Sequence, residues 1–366
     1  MYTFKPKKLL ILFSSCSLLL SACYPSGKQL LSIEDNNVIS EQIENIVSNN
    51  EHLDIEINAS TDENVLELPK INVKVMEWDE DKLKEIFLNG KTNIEYNEFP
   101  CDFFSNENYH VYTEEDQYWL LYESGRLAAE ERKSVFGYGT MAATLELYRF
   151  EDFFNEDSIS ALPKEEAINR CTDLLRDVGL TNYSEPYVYA ITADKANKYW
   201  HETNCTEYEK WNADDEVYLL RFPIEYNAVP VTDICSNSRE INGHGGYFVG
   251  SNIDFIVTKD KVFSLTANNI FSPEYELGEN VKINCTFENA LKIAAEHYDS
   301  INLAGQDIKI SDCELVYVPY EQHDEKNFTL IPMWIINASV YEDSRSIMGK
   351  RDCLFINAQT GNIIIW

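Results

Sequence analysis

The sequence is short of positive charge. Thirty lysines and arginines face 62 aspartates and glutamates, a formal net charge of −32. A surface of that sign repels nucleic acid and anionic headgroups, so no nucleic-acid partner is expected. Long apolar runs are missing after residue 20, and nothing beyond it is expected to span a membrane. No Cys-x-x-Cys pair occurs, which leaves neither a zinc ribbon nor a thioredoxin-like motif. The six histidines, at 52, 110, 201, 244, 297 and 323, have no metal-ligand spacing. There is no Gly-x-Ser-x-Gly elbow, Ser-x-x-Lys pair or His-Glu-x-x-His helix. Gly90-Lys91-Thr92 ends like a phosphate loop, but Glu85 stands where the first glycine is needed, so it reads as a helix C-terminus. Asp214-Asp215-Glu216 lacks the glycine turn and closing glutamate of a calcium loop. No catalytic, cofactor-binding or metal-binding residue is assigned, and a protein without catalytic activity is expected. Carboxylate pairs that meet only in the folded chain escape such a search.

What the sequence does carry begins at its start. Lys5, Lys7 and Lys8 precede a twelve-residue apolar run, Leu9–Leu20, and then Ser21-Ala22-Cys23. This is signal-peptide anatomy. As a helix, twelve residues reach only about 18 Å, short of the roughly 30 Å hydrocarbon core. Leu20-Ser21-Ala22-Cys23 resembles the lipobox of bacterial lipoproteins. The resemblance implies that the Cys23 thiol takes a diacylglyceryl group and that cleavage leaves Cys23 as the first residue. It also implies a place on the bacterial cell membrane, facing outside the cytoplasm. The attachment rests on acyl chains, since no polybasic patch supports it. The signal carries three lysines and no acid, so the remainder has a charge of −35 over 344 residues (366 minus 22). That length suggests two or three domains, and 44% hydrophobic residues suffice for real cores.

The fold class expected is α+β, with tandem small modules that each pack a helix on an antiparallel sheet. After the signal, 1–22, residues 23–64 read as an acidic tether interrupted by a helical stripe, Ile39, Ile43, Ile46 and Val47. A first module, 65–155, holds a strand at Ile71–Val75 and a helix opened by Asp79 and closed by Gly90. Its further strands are expected at 109–113, 117–123, 127–134 and 140–150. A second module, 156–280, opens with a helix after Pro163, whose stripe runs through Ala167, Cys171, Leu175 and Val178 to a stop at Gly179. A third, 281–366, opens at Thr286 with Ala290, Leu291, Ala294, Ala295 and Tyr298 on one face. Glu165-Glu166-Ala167-Ile168 and Glu288-Asn289-Ala290-Leu291 match, so the second and third modules read as degenerate copies.

The ending Phe355-Ile356-Asn357-Ala358-Gln359-Thr360-Gly361-Asn362-Ile363 reads as strand, turn, strand. With Pro332-x-Trp334 and the helix 288–298, it resembles a PepSY-type module. It is also similar to the extracytoplasmic YycH/YycI regulators of a sensor kinase, which have a transmembrane helix where this chain has Cys23. The resemblance covers about 286–366, more faintly 163–267, and implies a regulatory or binding role. Alternatives are a small-molecule or glycan-binding lipoprotein, or a hydrolase with a spatially assembled site.

Of nine cysteines, Cys16 lies in the signal and Cys23 at the anchor. Cys171 and Cys313 read as buried small hydrophobes, and Cys205 and Cys235 sit in polar loops close enough in sequence to pair. Two stretches are candidate contacts for a surface protein or glycan. Lys198-Tyr199-Trp200-His201 with Tyr208 and Trp211 sets aromatics among polar residues, either as a contact surface or as a lid on the sheet beneath. Residues 242–250 hold four of the fourteen glycines around His244 and Tyr247, either a loop closing on a ligand or a long hairpin connection.

Overall fold

The computed structural model describes residues 43, 46–48, 50, 52–59, 67–100, 107–114, 118–131, 137–203, 205, 208–234, 250–301, 306–321, 326–341 and 348–364. Cys23, Cys235, His244 and Tyr247 lie outside them. The fold is α+β, with two large sheets. The first has eight antiparallel strands. They are β3 (Ile94–Pro100), β4 (Asn108–Glu114), β5 (Tyr118–Glu123), β6 (Arg126–Glu131), β7 (Tyr187–Ile191), β8 (Val217–Pro223), β11 (Asn252–Thr258) and β12 (Val262–Asn268), in the order β3-β4-β5-β6-β12-β11-β8-β7. The second has seven: β1 (Leu53–Ala59), β2 (Glu67–Val75), β13 (Phe271–Lys282), β14 (Asp307–Glu321), β15 (Asn327–Tyr341), β16 (Lys350–Asn357) and β17 (Ile363–Ile364). Its path is β1-β14-β15-β16-β17, with β2 pairing both β15 and β13. A two-stranded ribbon, β9 (Glu225–Tyr226) with β10 (Val229–Pro230), completes the strands.

Helical periodicity places the helices. In α3 (Lys164–Val178) the stripe Ala167, Cys171, Leu175 and Val178 is buried, and Gly179 ends the helix at φ +92°. In α5 (Phe287–Ile301) the five residues expected on one face are all buried, and the Thr286 hydroxyl accepts from the Asn289 amide at 3.3 Å. The matched Ala167 and Ala290 are both fully buried. Helix α3 packs on one face of the first sheet, against Leu220, Phe222 and Phe255. Helix α5 packs on the second, against Leu315, Trp334 and Ile336. The C-terminal turn forms as expected: Gly361 has φ +73°, and the Asn357 carboxamide accepts from the amides of Gln359 and Thr360. Cys171 and Cys313 are fully buried, and burial pushes both thiols up.

Several expectations fail. The acidic tether is ordered structure in its second part: Ile43 is fully buried against the core under α5, and β1 pairs in parallel with β14. Leu53–Ala59 alternates apolar and polar residues, but the polar sequence around it hid this strand, and its partner β14 lies some 250 positions away, with Leu53 opposite Ile308. Residues 140–150, expected as a strand, form α2 (Tyr138–Leu147) and a 3-10 turn, Phe150–Asp152. Tyr138, Met141 and Leu145 share its buried face at helical spacing. Residues 65–155 divide between the sheets, β2 going to the second and β3–β6 extending the first. Residues 271–282, where no element is expected, form β13 across the expected boundary at 280/281.

The sheets meet at a polar seam. Arg221 on β8 makes a bidentate pair with Asp254 on β11, at 2.6 and 2.7 Å, and reaches Asp233 at 2.9 Å. Arg351 on β16 adds a second buried guanidinium, 3.6 Å from Glu151. Burial opposes the Arg221 charge, but Asp254 and Asp233 outweigh it and hold the group protonated. Burial pushes the Asp233 carboxyl up against the pull of both arginines.

Candidate functional site

The aromatics expected at a surface lie in the core. Helix α4 (Ala193–Glu202) turns Ala196, Tyr199 and Trp200 to one buried face. Tyr199 is 8% exposed, Trp200 3% and Trp211 2%. They form one cluster with Phe150, Phe153 and Phe154, on the face of the first sheet opposite α3. Gly137, at φ +97°, lies so close to Trp200 that a Cβ there would meet its ring at 2.4 Å. Asn197 ties Trp211 down through both backbone groups, each at 2.9 Å. Tyr208 is half-buried, its ring 6.4 Å from that of Trp200. Tyr199, Trp200 and Trp211 are therefore a lid on the sheet and not a contact surface. The polar neighbours Lys198 and His201 misled because the helix sends them to the other side. Cys205 is a free thiol.

Two cavities stand out among the described residues. One, about 40 Å3, lies at the polar seam among Arg221, Asp233, Asn252 and Glu314. It has room for water and no more, so this buried charge cluster reads as structural. The other is an open cleft of about 390 Å3, within the range of small-ligand sites.

The cleft forms where the two sheets abut. From the second sheet come Glu77 and Trp78, just past the end of β2, and Lys326, just before β15. The amide of Val75 donates to the carbonyl of Lys326 at 2.9 Å, which fixes their spacing. From the first sheet come Glu107, Asn108 and His110 on or beside β4, and Tyr122, Glu123 and Ser124 at the end of β5. Antiparallel register sets His110 opposite Tyr122, and their rings stack 4.8 Å apart at 8°. Tyr96, Tyr112 and these two make a four-ring ladder across three strands. Tyr96 is 44% exposed and its hydroxyl lies 2.8 Å from His110 Nδ1.

Lys326 crosses the cleft. Its ammonium pairs with Glu107, lies 3.3 Å from Glu77 and 3.2 Å from the Ser124 hydroxyl. Burial would raise the Glu107 carboxyl, but Lys326 and then Ser124 hold it below the usual range. Glu107, and then Glu77, raise the Lys326 ammonium in turn. Beyond the ladder, α1 (Glu80–Phe87) covers it with Glu80 and Lys84. The arrangement offers flat ring faces, carboxylate acceptors and an exchangeable ammonium. Among the described residues, no three His, Cys, Asp or Glu side chains come together to hold a metal ion.

Glu80 gives a pH prediction. Lys84 first, then the Tyr112 hydroxyl, hold its carboxyl down at about 2, against 4.5 ordinarily. A depressed carboxylate stabilises the fold above its unfolded value, and the contribution is lost as pH falls from about 4.5 toward 2. The side chain is 42% exposed, so water screens the effect to below about 1 kcal/mol. Urea melts at several pH values should show Glu80→Gln less stable than wild type near neutrality and equal to it near pH 2. A deficit that does not change with pH would mean lost packing, not lost charge.

None of the cleft residues was marked in the sequence as a site. Alternation in 109–113 and 117–123 places His110 and Tyr122 on inward faces, but only cross-strand register stacks them. Glu77 and Lys326 are 249 positions apart, and no spacing rule joins them.

No protein-family model matches the sequence, and no curated protein matches it. Among solved structures, the chain is similar to an uncharacterized protein from Eubacterium rectale ATCC 33656. The two share 14% identity over 87% of this chain and 92% of that one, with a TM-score of 0.62. That likeness shows the fold alone. A weaker neighbour is the PepSY-type YpeB C-terminal domain from Bacillus megaterium, at 11% identity, 80% and 97% coverage and a TM-score of 0.30.

Proposed function

We propose that the chain is a lipid-anchored binding protein of the bacterial cell surface, without catalytic activity. Cys23 carries the anchor, and the cleft between the sheets takes a small molecule or the end of a glycan. The observation that carries the reading is the cleft itself: about 390 Å3, walled by Trp78, His110 and Tyr122 and rimmed by carboxylates. Ring faces supply apolar contact while the acids and Asn108 orient polar groups, which is how small-ligand sites combine area with specificity. Among the described residues the serine at the cleft is Ser124, and its hydroxyl bonds to Glu107 and Lys326 rather than to a histidine of the kind that activates a nucleophile. With Tyr199, Trp200 and Trp211 buried, recognition of a large protein surface through them loses its support.

The test uses membranes from cells that make the full chain, its Cys23→Ser variant or its His110→Ala variant. Labelled fatty acid should mark the wild type and His110→Ala and leave Cys23→Ser unmarked. In detergent, native mass spectrometry with a panel of cell-surface sugars and small metabolites should show a ligand retained with its mass unchanged. His110→Ala should lose it. Equal fatty-acid label on all three chains removes the anchor, and a ligand released with altered mass overturns the non-enzymatic reading.

A further inference from the structure

The face of the first sheet that lines the cleft seats ammonium groups in a repeated way. Lys84 Nζ lies 5.2 Å from the centre of the Tyr112 ring and pairs with Glu80. Lys91 Nζ lies 3.8 Å from the centre of the Tyr118 ring and 3.8 Å from a Glu114 carboxylate oxygen. In each case a tyrosine face and one glutamate hold a lysine, the pairing expected where an aromatic quadrupole and a carboxylate act together on a cation. The cleft repeats these parts with space added. Tyr122 and His110 supply the rings, Glu107 and Glu77 the carboxylates. Two carboxylates there share one ammonium, that of Lys326, whose side chain is 36% exposed.

We infer that the cleft is a receptor for a small organic cation, a primary ammonium carried on a six-membered ring, whose charge takes the place of Lys326 between Glu77 and Glu107. The inference rests on the cleft being a ligand site and adds the chemical class of the ligand. The cleft, about 390 Å3, has room for a sugar or aromatic ring and cannot fully enclose a long oligomer. The stacked His110 and Tyr122 give such a ring a flat surface. Exchange makes and breaks no covalent bond. The ligand ammonium gains the two carboxylates, and Lys326 swings to solvent.

Calorimetry on the full chain at low salt compares tyramine with 4-ethylphenol and glucosamine with glucose. The members of each pair differ at the ammonium, and the two amines distinguish an aromatic from a sugar source. At least one amine should bind about tenfold more tightly than its neutral counterpart, the worth of one charge-assisted contact. Glu77→Gln, at a side chain 78% exposed and so safe for folding, should remove most of that preference. Lys326→Gln should tighten amine binding by freeing both acids. Neutral rings that bind as well as the amines, and are lost in His110→Ala, would overturn the cation inference and leave the ligand site standing. Amine binding that Glu77→Gln and Lys326→Gln leave unchanged would also overturn it. No binding of any ring compound by the wild type would remove the inference and the ligand-site reading together.

Discussion

Arg221→Ala is expected to destabilise the protein by about 3–5 kcal/mol. The guanidinium is 2% exposed and satisfies two carboxylates, Asp254 through two parallel contacts and Asp233 through one. Removing it leaves both acids facing each other at the seam between the sheets, with Arg351 their remaining buried cation. Total stability of a domain is commonly 5–15 kcal/mol, so the loss should be visible as a large fall in the urea midpoint. Raising the pH should worsen it, because burial already pushes the Asp233 carboxyl up and its ionisation in the folded variant then has no Arg221 to meet it. Arg221→Lys keeps the charge but not the fork, and should fall between. A loss below about 1 kcal/mol in Arg221→Ala would mean that water already compensates the acids.

Trp200→Ala is the second large effect, about 3–5 kcal/mol, typical of emptying a buried indole. The ring packs edge-on against Tyr199, 4.9 Å between centres, and over Gly137, where there is no side chain to move in and fill the gap. The cluster lies on the face of the first sheet away from the His110–Tyr122 stack, so ligand binding at the cleft should survive wherever the variant is still folded. Thermal unfolding and calorimetry on one preparation separate the two readouts. A stable Trp200→Ala protein that no longer binds would return this aromatic group to the contact surface and move the site.

Much of the helical structure was legible because its signal is local. The stripes of α3 and α5, the helix stop at Gly179 and the strand turn at Gly361 each sit within fifteen or so residues, where a 3.6-residue period or a left-handed residue leaves a direct mark. The aromatic group around Trp200 was misplaced because the polarity of Lys198 and His201 was averaged over the stretch. Resolved by helical phase, Ala196, Tyr199 and Trp200 form a face. The β1 strand, the partners of β2 and the cleft were out of reach for a different reason. All three are set by register with residues far along the chain, and the alternation of Leu53–Ala59 carries no sign of which strand will bond it. The stacked pair at His110 and Tyr122 depends on the same register, and Lys326 reaches Glu77 only because β15 lies beside β2.

The pairing of β1 with β14 and of β2 with β15 also sets the order of assembly. A chain that emerges amino end first must hold β2 unpaired until β13 follows at 271–282, and β1 until β14 follows at 307–321. Through that interval both strands expose open backbone edges, the kind of surface that recruits stray neighbours. The second sheet cannot nucleate from its own beginning. Its hairpin of β14 and β15 can form locally, and the two early strands then dock on it at the high entropic cost of closing a loop of more than two hundred residues. Folding should therefore finish at the amino end, and the last event is also the one that brings Glu77 and Trp78 to the cleft.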